Sequence, residues 1–274
     1  SKYQQSGIMA LNIAVCVKAV PDSKYYDKIT IDPATRMMVR EGIPTIISDL
    51  DKHALEAALA LRDKNQGKVS VFTMAPESAR DNILEALAMG ADEGFLLSDR
   101  AFAGADTLAT SYTLAAAIQA KGPFDIVITG NESDDGSTGQ VSAQLGEWLG
   151  FPHVMNIASL SFEHDALMIR ALYEEGTIDY KVALPAVLGV TRKVNKPRLT
   201  NIMGMLKAKS KPLTVLHYGD FPTDDRYLGL KGSPTQPGDI YAPKMSRKTV
   251  ELSGAPEEIA DRIVQELCKA GVRH

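Results

Sequence analysis

The residues best equipped for chemistry fall in one short stretch, GNESDDGSTGQV, at positions 130–141. Gly136 and Gly139 allow a backbone to come close to a ligand, and Ser137 and Thr138 add hydroxyl donors. A helix opening behind them turns its free N-terminal amides toward whatever binds, which is the construction of a phosphate cradle. Ser, Thr, Asp and Gly are also the usual capping residues, so a plain strand-to-helix loop fits the same spacing. On the residues alone, both readings stand.

A second stretch carries charge. No Asp or Glu lies between Lys181 and Gly219, whereas Arg192, Lys193, Lys196, Arg198, Lys207, Lys209 and Lys211 are all basic. Among them sit Ile202, Met203, Met205 and Leu206. A basic stripe around an apolar anchor suits docking on an acidic protein partner, with charge steering the encounter. Nucleic-acid binding is the rival, but the segment lacks interleaved aromatics and the net charge is −4. A short amphipathic helix packed on the core is the third reading.

Other chemistries have no residues to carry them. The junction at Val20–Asp22 holds no G-x-G-x-x-G, and no G-x-x-x-x-G-K-[ST] or G-x-S-x-G occurs. The histidines His53, His153, His164, His217 and His274 are scattered and make no H-E-x-x-H. Cys16 and Cys268 lie far apart and form no C-x-x-C, which speaks against a zinc site, an iron–sulfur cluster or a disulfide framework. Neither a catalytic side chain nor a metal ligand is therefore expected.

The elements that must position these residues follow an alternating pattern. NIAVCVKAV (12–20) is a continuous apolar run, as in a strand buried on both faces. Residues 21–42 read as an irregular excursion or hairpin. Ser48 or Asp49 then caps a helix with Leu50, Ala54, Ala57, Ala58 and Leu61 on one face. Strands at 68–75, 93–99 and 125–130 alternate with helices at 77–90, 106–122 and 138–150. That alternation predicts a mostly parallel, doubly wound α/β sheet with helices on both faces. After Pro152 the texture becomes strand-like, with two strands around a turn and TIDYKVALPAVLGV as a third. The stretch 212–254 is rich in Pro and Gly without a helical period, so an extended arm is expected before a last helix.

With 45% hydrophobic residues the chain has material for a sizeable core, and no apolar run reaches the roughly 18 residues needed to cross a bilayer. No membrane insertion and no nucleic-acid partner are expected, and a cytoplasmic location is the default. Residues 1–8 read as a vector-derived scar. The division expected is a nucleotide-binding α/β domain at 9–211, including a partner-recognition segment at 192–211, and an arm and helix at 212–274.

Several stretches, in order, resemble the beta subunit of electron-transfer flavoproteins. They are VCVKAVPD (15–22), DKHALEAALALRD (51–63), AMGADEGFLLSDRAFAGADTLATS (88–111), GNESDDGSTGQV, LPAVLGVTRKVNKPRLTNIMGMLKAKSKP (184–212) and KGSPTQ (231–236). The resemblance implies a heterodimer with an alpha subunit that holds a redox-active FAD, the arm and last helix contacting that subunit. It further implies a nucleotide in this chain, a second FAD or else AMP as a structural ligand. In the FAD-binding versions that flavin is reduced by NADH and sends electrons to two acceptors, which is flavin-based electron bifurcation. By position, Cys16, Val17 and Lys18 would contact adenine and ribose, with Ser48, Thr73, Met74 and Ala75 nearby. Beyond Gly130, the phosphates would lie over Asp135, Gly136, Ser137, Thr138, Gly139, Gln140 and Val141. The stretch Asp135–Val141 agrees at five of seven places with the D-G-D-T-A-Q-V form of FAD-binding members, departing at Ser137 and Gly139. Arg198, Ile202, Met203, Met205, Leu206 and Lys207 would form the recognition loop for an acyl-CoA dehydrogenase or related oxidoreductase, with Ile202 where the family's anchoring Leu stands. A universal-stress-type nucleotide module, built on a similar sheet, is the alternative from another class.

Overall fold

The computed structural model describes residues 9–28, 30–31, 38–39, 42–236, 238 and 249–272. Two units divide the chain, residues 1–238 and 239–274. The expected scar at 1–8 lies outside the described residues.

In the first unit the strands are β1 (Leu11–Cys16), β2 (Ala19–Pro21), β3 (Thr30–Ile31), β4 (Met38–Val39), β5 (Thr45–Ile47), β6 (Gly67–Met74) and β7 (Glu93–Leu97). They continue with β8 (Ile126–Gly130), β9 (His153–Glu163), β10 (Ala166–Tyr173), β11 (Gly176–Ala183), β12 (Ala186–Val190) and β13 (Leu213–Leu216). The helices are α1 (Asp49–Asn65), α2 (Arg80–Met89), α3 (Thr107–Lys121), α4 (Val141–Leu149) and α5 (Ile202–Ala208). A nine-stranded sheet runs in the order β11-β10-β9-β12-β8-β1-β6-β7-β13. From β9 to β13 every neighbouring pair is parallel, and β10 and β11 extend the sheet antiparallel. The mostly parallel α/β class expected from the alternation is what forms.

The two faces of the sheet separate by the period of two along each strand. In β1, Ile13 and Val15 point with Val17 into a core shared with α1 and α2. Ala14 and Cys16 point the other way, among Phe72, Phe95, Leu114, Ile118 and Leu145 beneath α3 and α4. Leu11, Ile13, Phe72, Ile126 and Ile128 are fully buried, which is why these stretches read as unbroken apolar runs.

The structure departs from the sequence expectation in two places, at 177–190 and after 212. TIDYKVALPAVLGV makes two strands, β11 and β12, divided at Leu184 and Pro185, because proline can supply no ladder N–H. The irregular excursion or hairpin expected at 21–42 does form, with a short 3-10 turn at Ser23–Lys28 and β3 antiparallel to β4, and β2 pairs antiparallel with β5 on either side of it. The arm expected from 212 does not begin there. Leu213–Leu216 joins the sheet as β13 beside β7, and Phe221, Leu228 and Ser233 are buried behind it. In the second unit, α6 (Pro256–Lys269) is the expected last helix, ended at Gly271 with φ 85°.

Candidate functional site

β1 stands at the centre of the winding. Chain order runs outward from β1 to β6, β7 and β13 on one side and to β8 and β12 on the other. At such a reversal the connections leave in opposite directions, and a crevice opens beyond the carboxyl ends of the two central strands. The segment after β1 (Val17, Lys18) and the loop after β8 (131–140) border this crevice.

The first turn of α1 is stitched into both. Asp51, 6% exposed, accepts the Lys18 amide on Oδ2 at 2.8 Å and the Gly130 amide on Oδ1 at 2.9 Å. The Ser48 amide donates back to the Lys18 carbonyl at 2.9 Å. Ser48 is the N-cap residue of α1, yet its hydroxyl makes no cap bond. It donates instead to Asp134 Oδ2 at 2.9 Å, and that same oxygen accepts the Asp49 amide at 2.7 Å. A carboxylate from the loop therefore already sits on the positive end of α1. Arg192 secures it, reaching Asp49 Oδ2 at 2.6 Å and Asp134 Oδ1 at 3.1 Å.

The N-terminus of α4 is left differently. Its N-cap, Gln140, makes no side-chain cap bond, because its Oε1 accepts the Thr107 hydroxyl at 2.9 Å. Among the described residues no protein acceptor meets the amides of Val141, Ser142 or Ala143. The chain reaches α4 through left-handed turns at Ser137 (φ 46°) and Gly139 (φ 62°), so the helix starts three residues later than expected. Ser137 is folded onto the loop, its amide and hydroxyl both donating to the Ser133 carbonyl at 2.9 and 3.2 Å. A Cβ on Gly136 would approach Ser133 Oγ to 3.1 Å and Lys18 Nζ to 3.7 Å, which places the bare backbone there directly under the lysine. Lys18 Nζ is held over the loop by Asp135 at 2.6 Å and Ser133 Oγ at 3.3 Å. One cation, unmatched helix amides and a glycine-bared backbone form a donor set that fits phosphate oxygens.

Electrostatics at the base of the crevice follow from burial. Desolvation pushes the Asp51 carboxyl up to about 7, against the opposing pull of the Lys18 and Gly130 amides and the Lys18 charge. Burial, with the Asp51 charge beside it, also raises the Cys16 thiol, which is thereby kept unreactive.

The residues expected at the site fall around this crevice in unequal ways. Lys18, Asp135, Gly136, Ser137 and Thr138 are exposed on its rim, and Val141 and Gly139 are partly buried. Cys16 and Val17 are buried, and the Thr73 hydroxyl is turned away from solvent to the Val17 carbonyl at 2.6 Å. Met74 and Ala75 lie partly buried at the end of β6. Three residues that the sequence did not single out for the site, Asp51, Asp134 and Arg192, make most of its internal bonds. Asp51 had one available signal, a carboxylate three and seven residues before Ala54 and Ala58 on the apolar stripe of α1.

Beside the crevice, a cleft of about 420 Å³ is lined by Val20, Pro21, Ile46, Asp49, Asp134 and Arg192. The 192–211 segment leaves from it. Asn195 exchanges bonds with His53, and Arg198 forks onto Glu56 at 2.8 and 3.0 Å and reaches Asp63 at 3.1 Å. The two arginines of the basic stripe are thus engaged within the chain and anchor the segment along α1. The apolar residues point outward: Leu199 is 91% exposed, Ile202 77% and Met203 62%, with Met205, Leu206 and Lys207 also exposed. Only Ala208 of α5 is buried.

A family model described as the electron transfer flavoprotein domain matches residues 35–220. The chain is 40% identical over 258 residues to the electron transfer flavoprotein subunit beta of Thermoanaerobacterium thermosaccharolyticum, covering 94% of this chain and 98% of that protein. It is 38% identical over 259 residues to the caffeyl-CoA reductase-Etf complex subunit CarD of Acetobacterium woodii, covering 94% and 98%. Protein FixA of Azorhizobium caulinodans is 36% identical over 268 residues, with 94% of each chain covered. No helix among the described residues is long and apolar enough to cross a membrane.

Proposed function

The chain belongs to the electron transfer flavoprotein family, among its beta subunits, and on that premise we propose that the crevice between β1 and β8 holds an adenine nucleotide, FAD in preference to AMP. The observation that carries this reading is the contrast between two helix ends. Asp134 fills the N-terminus of α1, whereas the first amides of α4, which follow the loop that Lys18 holds through Asp135 and Ser133, have no protein partner among the described residues. Lys18, the backbone at Gly136 and Gly139, the Thr138 hydroxyl and the α4 amides would hold the phosphates. Val17, Lys18 and the end of β6 at Met74 and Ala75 would border the adenosine.

Two features favour a dinucleotide. The stretch Asp135–Val141 is closer to the FAD-binding form of the loop. The adjoining cleft of about 420 Å³ also offers room beyond the phosphates, within the roughly 300–1,000 Å³ of small-molecule pockets. Bound FAD supplies electron acceptance from NADH and release to separate acceptors, chemistry that no side chain of this crevice offers. The chain's own part is to bind, orient and screen charge. The AMP reading draws on Ser137, which stands where FAD-binding members carry a second Asp.

The same reading makes this chain half of a heterodimer with an alpha subunit, carrying electrons between NADH or an acyl-CoA dehydrogenase-like oxidoreductase and other acceptors, by bifurcation if FAD is bound. The exposed Leu199, Ile202 and Met203, pinned at their base by Arg198, suit an anchor for that oxidoreductase. The Acetobacterium woodii relative is named as part of a complex with a caffeyl-CoA reductase, in keeping with such a partner. Acid release from the purified heterodimer identifies the ligand. Two FAD without AMP supports the bifurcating reading, and one FAD with one AMP replaces it with an electron carrier built on a structural nucleotide.

A further inference from the structure

Asp51 stands where the sheet divides. β1 and β8 are paired in register through Val15 and Ile128. On their outer flanks pairing runs further, to Cys16 with Phe72 of β6 and to Gly130 with Val190 of β12. Between β1 and β8 the ladder stops short, and the Lys18 and Gly130 amides end instead on the two oxygens of one carboxylate, at 2.8 and 2.9 Å. A buried side chain has replaced the next rung of the sheet.

The replacement is held from every side. Ser48 N donates to the Lys18 carbonyl, so the turn that carries Asp51 is tied to β1 independently. On the β8 side there is no room to adjust, since a Cβ on Gly130 would fall 2.6 Å from Asp51 Oδ1 and 2.8 Å from Leu50 Cβ. One buried and one partly buried backbone donor are costly to leave unmatched, so the carboxylate fixes both strand ends at its own breadth.

We infer that Asp51 is the positioning residue of the nucleotide crevice: by taking one amide from each central strand it sets the spacing between Lys18 and the loop that begins at Gly130. The inference rests on the nucleotide reading of that crevice. It assigns Asp51 no contact with the ligand, and its effect is transmitted through Lys18 and residues 131–141.

The test compares wild-type heterodimer with Asp51→Asn and with Asp63→Asn, a control on the same helix whose carboxylate pairs with Arg62 and Arg198 instead. An amide at position 51 keeps one acceptor and turns a donor toward the other N–H. Nucleotide-free protein is titrated with AMP and with FAD by equilibrium dialysis, and hydrogen exchange is followed in peptides covering 16–20 and 128–132. The expected result is at least tenfold weaker binding in Asp51→Asn, faster exchange confined to those two peptides, and neither change in Asp63→Asn. Binding within twofold of wild type in Asp51→Asn overturns the inference. So does loss of protection throughout the sheet, which would make Asp51 a general core residue. Wild-type protein that binds neither AMP nor FAD would instead sink the nucleotide reading itself.

Discussion

Asp134 and Asp49 are joined end to end: the Asp134 carboxylate accepts the Asp49 amide at 2.7 Å and so caps a helix from a loop 85 residues away. The loop after β8 is therefore anchored to α1 by Asp134, while its later half, with Gly136 and Gly139, leads into α4. Replacing Asp134 by Ala removes the cap and leaves Arg192 with Asp49 alone. The expected outcome in urea denaturation is a loss of about 1 kcal/mol, the usual worth of a helix N-terminal cap. An unchanged midpoint would show that the anchor contributes nothing.

Gly130 is required by the close approach of α1. Gly130→Ala would drive a methyl group against Asp51 and Leu50, with overpacking costs of about 1–3 kcal/mol. Thermal unfolding of the heterodimer should drop, and nucleotide retention with it. Gly136→Ala meets nothing closer than 3.1 Å and serves as the comparison, with stability close to wild type.

The pH dependence of stability should carry the signature of Asp51. Its folded value, pushed up to about 7 by burial, lies above the ordinary carboxylate value near 3.9. Folded protein therefore binds this proton more tightly than unfolded protein does. The stability it contributes is full below pH of about 4 and lost as pH rises through about 7. Lys18 and the two amides oppose this shift and Asp134 adds to it. Paired denaturation at pH 5 and pH 8 should show a steeper fall in wild type than in Asp51→Asn, and equal falls would contradict the assignment.

The outward apolar anchor can be separated from folding. Ile202→Ala and Leu199→Ala remove side chains that are 77% and 91% exposed, so the unfolding free energy should change by no more than about 0.5 kcal/mol. Electron transfer with the oxidoreductase partner should fall, chiefly through a weaker apparent affinity. Arg198→Ala should behave differently and lower stability, because it leaves the buried Glu56 carboxylate without its cation.

Much of the fold was legible because its strands are buried on both faces. The runs at Leu11–Cys16, Gly67–Met74 and Ile126–Gly130 stand out by hydrophobicity alone. β13 was not legible, since four residues after a proline, at a sheet edge, carry too little pattern. The glycines of the loop were readable as backbone requirements, but the left-handed Ser137 was not, for serine seldom adopts that conformation. Asp51 was hidden for a different reason. An acid in the first turn of a helix reads as a partner for the helix dipole, and only the position of β8 turns it inward. Arg192 and Arg198 read as free charge because their partners lie 58 to 143 residues away in sequence.

The proposed site puts one nucleotide of the complex over the loop between β8 and α4. Its most direct test is the nucleotide count in acid extracts of wild-type heterodimer and of heterodimer carrying Gly136→Leu, whose side chain would occupy the space under Lys18. Two adenine nucleotides are expected per wild-type complex and one in the variant, with the complex still assembled. Equal counts in the two proteins would contradict that placement.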